Sequence, residues 1–255
     1  MIDIAIEYPF LLFRRKVKSK APTSWDELTE RQFLAISRAV DGAIPDYRFL
    51  SILSGIKEKL LRKLTPFSLF KLSEGIEFVG TAGNVHSNFI IREIRGTDFI
   101  SPKPKLDSLT FGQFIFADAY YSNWMGTKDE KQLNNLVATL YLLPGEKFSS
   151  DTIVDRIWTL ANVDSDIRKA IAFNYGLILM WLQKCYPLIF RETDNSNADR
   201  RDAINRVSTS RSGWLTLFES MVADDLINRD RYAELPIHTV LRHLTSKYKE
   251  NARRG

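Results

Sequence analysis

The sequence predicts a mainly α-helical fold: a multi-helix, bundle-like globule with a small β element near the N-terminus. Three observations support this. Apolar residues recur at helical spacing along most of the chain, helix-capping sequences precede several of these stretches, and apolar and polar residues alternate over the first eight residues. With 255 residues, of which 44% are hydrophobic and 26% charged, the chain can bury a sizeable core without disulfides or metals.

The N-terminal segment has the two-residue period of a strand with one solvent-facing side. The apolar positions of this strand are Ile2, Ile4, Ile6 and Tyr8. Pro9 interrupts the alternation, and Phe10–Phe13 can pair as a second strand before the basic stretch that ends at Pro22. The β-favouring residues of Asn88–Ile94 make that segment a candidate partner, although its spacing also fits a helix. We therefore expect a small sheet near the N-terminus.

Helix signals begin after this segment. Thr29 and Gln32 have the spacing of a capping box, in which the hydroxyl and the amide side chain each bond the other residue's backbone N–H. A second helix is expected from Asp46 towards Leu53, stopped at Gly55, and a third after Thr65, because Pro66 suits a first helical position. The inner stripe predicted for the third helix is Leu69, Leu72 and Ile76.

The pattern Leu-Thr-x-x-Gln-Phe occurs twice, at Leu28–Phe33 and at Leu109–Phe114. The second copy opens a helix that we expect to run to about Met125. Two interpretations remain open. The copies mark two related helical units, or both are simply well-capped helix starts with a common hydrophobic staple.

The second half of the chain is more uniformly helical. A long segment capped by Asp164 or Ser165 continues through Leu182, apolar on nearly all sides, and is predicted to be the central helix. Earlier stripes are Leu133, Leu136, Val137, Leu140 and Tyr141, then Ile153, Ile157, Trp158 and Ala161. Later stripes are Trp214, Leu217, Phe218 and Met221, then, after Pro236, Ile237, Val240, Leu241, Leu244 and Tyr248.

The domain organisation has two readings. The chain divides into a strand with a helical unit over residues 1–100 and a second helical unit over residues 101–255, or it forms one continuous domain. Arg191–Ser212 lacks aromatic residues and is rich in Asp, Asn, Ser and Arg, so we predict an exposed connection or contact loop there.

The positive charge lies at the two ends of the chain. Residues 1–20 carry a net charge of +3 and residues 242–255 carry +4, which leaves −2 for the remainder. Such ends can meet phosphates or an acidic protein surface, or can simply be solvated. The candidate partner-binding residues are Ile2, Ile4, Ile6, Tyr8, Arg14, Arg15, Lys16, Lys18, Lys20, Arg200, Arg201, Arg253 and Arg254.

No motif for catalysis or cofactor binding is evident. The single cysteine, Cys185, lies far in sequence from the three histidines, and His238 and His243 are five residues apart, on different sides of a helix. The Gly80–Asn84 segment has a Gly-x-x-Gly form that a tight turn explains better than a phosphate site. We predict no metal, no cofactor and no enzymatic activity. Tyr120–Trp124 can supply bases with stacking partners, but helical periodicity favours core packing.

Two stretches carry a resemblance to a known class of proteins. Trp25–Leu34 and the closing pattern from Trp214 through Pro236 to Leu244 resemble small helical proteins of tailed bacteriophages and prophages, particularly structural and tail-assembly proteins. The resemblance implies a virion component, adaptor or assembly factor that binds other proteins and performs no chemistry. The strand-like N-terminal segment has no place in that pattern.

These observations give one functional expectation and one alternative. We expect a non-enzymatic protein that binds other protein subunits, including copies of itself in a homo-oligomer, and that does not enter a membrane. The lack of a signal-peptide pattern and the single cysteine favour the host cytoplasm or the virion. The alternative is a nucleic-acid-binding protein that uses its basic ends. If the protein is an assembly protein, deletion of residues 1–20 should weaken assembly and leave the helices folded.

Overall fold

The computed structural model describes residues 1–10, 13–74, 76–80, 85–190, 213–223 and 225–254. In these ranges the chain forms eleven α-helices and a two-stranded antiparallel sheet, which confirms the mainly helical prediction. The strands are β1 (Ile2–Phe10) and β2 (Phe13–Ala21). The helices are α1 (Glu30–Val40), α2 (Asp46–Ser54), α3 (Glu58–Leu61), α4 (Pro66–Glu74), α5 (Phe111–Thr127), α6 (Glu130–Leu140), α7 (Ile153–Leu160), α8 (Ser165–Cys185), α9 (Gly213–Val222), α10 (Arg229–Glu234) and α11 (Ile237–Arg254).

The chain forms two compact units, an N-terminal unit (Met1–His86) and a C-terminal unit (Ser87–Gly255). The division lies before the residue 100 boundary that the sequence suggested. Asn88–Ile94 is not a strand of the N-terminal sheet, and the prediction that it pairs there is wrong. Its backbone instead bonds to α8, because the Asn174 side chain accepts from Ile90 N at 2.8 Å and donates to Asn88 O at 2.9 Å.

The partner of β1 is the basic stretch itself. The two strands pair in a continuous register from Ile2 opposite Ala21 to Phe10 opposite Phe13. Phe10 and Phe13 therefore close the hairpin, and the prediction of a separate strand from Phe10 to Phe13 is wrong. The alternation of Val17, Ser19 and Ala21 with lysines was the available signal, but lysine has low strand propensity and masked it.

The hairpin is part of the N-terminal unit's core. Tyr8 is buried against Ile56, Leu61, Leu64 and Leu72, and Val17 packs at the edge of this cluster. Ser19 Oγ donates to the carbonyl of Ser54 at the end of α2. The next residue, Gly55, has a φ of +68°, and a Cβ there would lie 3.2 Å from Ser19 Oγ, so glycine suits both the helix stop and the hairpin contact. We therefore expect deletion of residues 1–20 to unfold this unit.

The two Leu-Thr-x-x-Gln-Phe copies share more than a cap. Each threonine hydroxyl accepts from the backbone N–H of its glutamine, and Gln32 also reaches back to Thr29 N, which completes a box that Gln113 does not make. Both glutamines also donate through Nε2 to the backbone carbonyl of the last residue but one in the following helix. Gln32 bonds to Leu53 O at 3.1 Å and Gln113 to Thr139 O at 2.7 Å. The repeated pattern thus specifies the same local arrangement twice.

Helix α8 is buried over more than half of its circumference, in keeping with the apolar pattern of its sequence. Asp164 caps this helix by accepting from Asp166 N. The start of α11 bonds back to the start of α5, since Phe111 N donates to Leu235 O and Ile237 N donates to Leu109 O. The inner stripe of α11 ends at Leu244, and Tyr248 is exposed, contrary to the prediction. The predicted loop Arg191–Ser212 lies outside the described residues.

We predict that Tyr8→Ala lowers the free energy of unfolding of the N-terminal unit by about 3 kcal/mol, because it leaves a cavity under the hairpin. Urea denaturation followed by circular dichroism measures this. Ala5→Ser is the matched control in the same strand, because Ala5 is exposed, and should change stability by less than about 0.5 kcal/mol. Equal effects of both substitutions would contradict a packed hairpin.

Candidate interaction surfaces

Two lysines of the hairpin lie opposite acids. Lys16, Lys18 and Lys20 are exposed at alternate positions of β2. The register places Lys20 opposite Asp3 and Lys16 opposite Glu7, and both acids are exposed. These five side chains sum to +1, and Arg14 and Arg15 supply the rest of the +3 counted along the first twenty residues.

The other sequence-predicted residues fall into three groups. Tyr8 is buried and belongs to the core, whereas Arg15, directly opposite Tyr8 in the register, is exposed. The backbone positions of Ile2, Ile4, Ile6, Arg14 and Arg254 are described but their side chains are not. Arg200 and Arg201 lie outside the described residues.

A further strand can add to the hairpin through the backbone N–H and C=O groups at its edges, because within the described part β1 and β2 pair with each other and with no third strand.

The basic C-terminal residues lie on an exposed helical tail. Residues 246–250 of α11 are all exposed, and so is Arg253. Lys247, Lys249 and Arg253 are the basic side chains of this tail, with Glu250 among them. Cations near a helix C-terminus interact favourably with the helix dipole. The four side chains of this tail sum to +2.

Helix α7 exposes large apolar side chains. Trp158 is 74% exposed and Val154, one helical turn earlier, is 59% exposed. The predicted inner stripe is therefore right at Ile153, which is buried, and wrong at Trp158 and Ala161, which are exposed. The other buried positions of α7 are Arg156 and Leu160.

Arg156 explains why α7 is rotated away from its expected face. Its guanidinium is buried, and Nε donates to Ala138 O at 2.7 Å near the end of α6. One terminal nitrogen forms an ion pair with Glu146 and donates to Thr152 Oγ1 at 2.6 Å. A buried charge requires such partners, and satisfying them directs Trp158 outwards. Sequence periodicity alone treats arginine as a surface residue.

A second exposed apolar surface lies on α4 in the N-terminal unit. Phe67 and Phe70 are 66% and 62% exposed, and Lys71 Nζ lies 4.8 Å from the centre of the Phe67 ring. This surface was not predicted. The available signal was the inner stripe of Leu69 and Leu72, which leaves the phenylalanines on the opposite side.

A third exposed apolar surface is the short turn before α10. Leu226 is 71% exposed and Ile227 is 97% exposed. Asp225 fixes the turn by accepting from both Asn228 Nδ2, at 2.9 Å, and Tyr232 OH. Large apolar side chains held outside the core in this way are typical of protein-interaction sites.

The interior of the C-terminal unit holds a polar cluster between α5 and α8. Asp118 is 4% exposed, and burial raises its pKa to about 7. The burial of Tyr121 and Tyr175 raises the pKa of both hydroxyls, and the charge of Asp118 raises it further. A Cβ at Gly176 would lie 2.4 Å from the Tyr121 hydroxyl, so glycine makes room for it. Tyr175 OH has no hydrogen-bond partner among the described residues.

The aromatic segment Tyr120–Trp124 belongs mainly to this interior. Tyr121 and Trp124 are buried, and the Tyr121 ring packs edge to face against Tyr175 with ring centres 5.3 Å apart. The core interpretation is therefore confirmed for these two residues, and base stacking on them would require unfolding.

His238 joins a strained turn to α8 in the same unit. Its Nε2 donates to Lys105 O at 2.6 Å, because a carbonyl can only accept, and its Nδ1 then accepts from Tyr186 OH at 2.8 Å. Lys105 and Leu106 both have a φ of +61°, an unfavourable region for these residues. The imidazole thus holds the turn in place.

The neighbouring thiol of Cys185 has a pKa raised by burial. An activated cysteine has a lowered pKa, so the shift at Cys185 is in the opposite direction.

In the described ranges, no group of three or more His, Cys, Asp or Glu side chains is placed to hold a metal ion. No described helix is both long and apolar enough to cross a membrane. No family model, curated protein or solved structure matches the chain.

We predict that Asp118→Asn stabilises the C-terminal unit at pH 8 but not at pH 4. The folded pKa of about 7 exceeds the ordinary value of 3.8, so the folded state retains a proton that the unfolded chain loses. Wild-type stability therefore falls as the pH rises between these values and is constant above them. The gain at pH 8 should be roughly 4 kcal/mol in urea denaturation. Asp155→Asn, at an exposed site, is the control; the same effect for both, or no pH dependence, would refute this prediction.

Proposed function

We propose that the protein is a non-enzymatic assembly protein or adaptor that binds another polypeptide through the exposed side of α7. This proposal depends on one observation: the Trp158 side chain is 74% exposed on a helix whose opposite side packs in the core. Tryptophan is enriched among residues that dominate binding energies, since it buries a large area with little loss of side-chain freedom.

The support beneath Trp158 favours the same conclusion. Ile153 and Leu160 are buried on the inner side of α7, and Arg156 ties the helix to α6 and to the preceding loop. A surface held this firmly loses little conformational entropy on binding. The partner surface that would fit this helix is apolar and has a recess for the indole ring of Trp158.

The biological setting that we propose follows from the sequence resemblance. Trp25–Leu34 and the Trp214–Leu244 pattern resemble helical structural and tail-assembly proteins of bacteriophages. We propose that this chain is likewise a virion structural component, adaptor or tail-assembly factor, whose partners are other protein subunits. The hairpin edge and the basic helical tail give such a protein further contact points.

We predict that a photo-crosslinking amino acid at Thr159 captures a second polypeptide in the cells that naturally make the protein. Thr159 is exposed beside Trp158, so the probe leaves the indole in place. Adding Trp158→Ser should reduce the crosslink yield by about tenfold or more, which mass spectrometry of the crosslinked band measures.

The matched control places the same probe at Lys131, which is exposed at the start of α6. We expect no specific crosslink from this position. Equal crosslinking from both positions, or a Thr159 crosslink unaffected by Trp158→Ser, would refute α7 as the binding surface.

A second candidate function is nucleic-acid binding through the tail of α11. The observation that favours it is the exposure of Lys247, Lys249 and Arg253 on one helical segment, with Glu250 as the accompanying acid. Such a segment can bind the phosphate backbone of a nucleic acid by charge alone, without close packing of side chains against the bases.

We predict, for this candidate, that Lys247→Gln, Lys249→Gln and Arg253→Gln together reduce the slope of log affinity against log salt by roughly two to three. Fluorescence anisotropy with a labelled DNA duplex measures the slope. The matched triple substitution at Lys16, Lys18 and Lys20 should change it less, because Asp3 and Glu7 oppose two of those lysines. Absence of binding at low salt would refute the candidate.

A further inference from the structure

Two exposed apolar surfaces in this chain carry opposite charges. The first is the α4 face, which we define as Lys57, Lys59, Lys63, Phe67, Phe70 and Lys71. All six residues are exposed. Residues 57–71 hold five basic residues and one acid, a net charge of +4. That acid, Glu58, is paired with Arg62 at 2.6 Å, and the next acid along the chain is Glu74 at the end of α4.

The second surface is the acidic turn, which we define as Asp225, Leu226, Ile227 and Asp230. Residues 219–230 hold four acids and one base, a net charge of −3. The base, Arg229, lies with its guanidinium 5.7 Å from the centre of the Phe218 ring. Asp225 and Asp230 are exposed on either side of the two apolar side chains.

We propose that the α4 face of one copy of the chain binds the acidic turn of a second copy, so that chains associate head to tail. In this arrangement, Leu226 and Ile227 cover the Phe67 and Phe70 rings, which are among the most exposed apolar side chains described. Asp225 and Asp230 then approach Lys63 and Lys71. This inference rests on the proposed assembly function and names a second copy of the chain as one partner.

Charge decides between this arrangement and the alternatives. A two-fold dimer through the α4 face would bring two surfaces of net charge +4 together, which Coulomb repulsion disfavours. Nucleic acid would suit the charge, but a stacked base needs a free ring face, and Lys71 occupies one side of Phe67. An acidic and apolar partner satisfies both parts of the face, and this chain exposes one.

The symmetry of the contact has a structural consequence. Different surfaces meet, so every open assembly keeps one unused α4 face and one unused acidic turn at its two ends until a ring closes. The contact joins a short helix face to a single turn, which is small for a stable complex. We therefore expect reversible, concentration-dependent association that weakens at high salt.

We predict that sedimentation equilibrium of the full chain shows a mass that rises with protein concentration at low salt. Leu226→Ser with Ile227→Ser, or Phe67→Ser with Phe70→Ser, should each weaken self-association by about tenfold or more. An equimolar mixture of these two double variants should stop at dimers, because one working face and one working turn remain. The matched control, Val40→Ser with Leu143→Ser, removes exposed apolar side chains outside both surfaces and should associate like wild type.

Charge exchange tests the pairing of the two surfaces. Lys63→Glu with Lys71→Glu should abolish association, Asp230→Lys should weaken it, and the chain carrying all three substitutions should regain part of it. Asp225 is left unchanged because it fixes the turn. Wild type that remains monomeric at every concentration, an unchanged turn variant, or three substitutions without recovery would each overturn the inference. Binding of an RNA or DNA oligonucleotide that requires Lys63 and Lys71 would also overturn it. Crosslinking at Thr159 tests the proposed function separately, so failure of one leaves the other measurable.

Discussion

The C-terminal unit depends on one buried amide. Asn174 lies in the middle of α8, 1% exposed, among side chains that are otherwise mostly apolar. A buried amide must find partners, and Asn174 finds both of them on the backbone of residues 88–90. This pair of bonds fixes an irregular segment on the central helix. From there, Tyr141 donates to Ile91 O and Ile100 exchanges backbone bonds with Leu142, which joins the same segment to the end of α6.

Polar groups inside the units also determine what is exposed outside them. Arg156 is satisfied by carbonyls and by Glu146 only when α7 has its observed rotation, and that rotation exposes Trp158. Gln32 and Gln113 each tie the start of one helix to the end of the next. The surfaces that we propose for binding are thus consequences of how buried polar groups are satisfied, as well as of where apolar residues occur in the chain.

Net charge along the sequence was a poor guide to the surfaces. The first twenty residues count as +3, but this charge is uneven, because antiparallel pairing sets Asp3 against Lys20 and Glu7 against Lys16 and leaves the excess to the remaining basic residues. Conversely, the −2 assigned to the long middle of the chain concealed residues 57–71, where five basic residues surround two exposed phenylalanines. A net charge summed over a long range of sequence cancels charges that lie far apart in the folded chain. Strand register, in contrast, brings together charges that are distant in sequence.

The sequence by itself determined the local elements. The caps at Thr29, Thr110 and Asp164 and the stop at Gly55 are set by neighbouring residues, whose hydrogen bonds and backbone angles need no distant partner. Only the tertiary structure decided that the basic stretch completes a hairpin, that Asp118 is buried and that Trp158 is exposed. These outcomes depend on contacts between residues far apart in sequence. A periodic pattern shows that a helix has an apolar side, and the packing around it determines which residues that side includes.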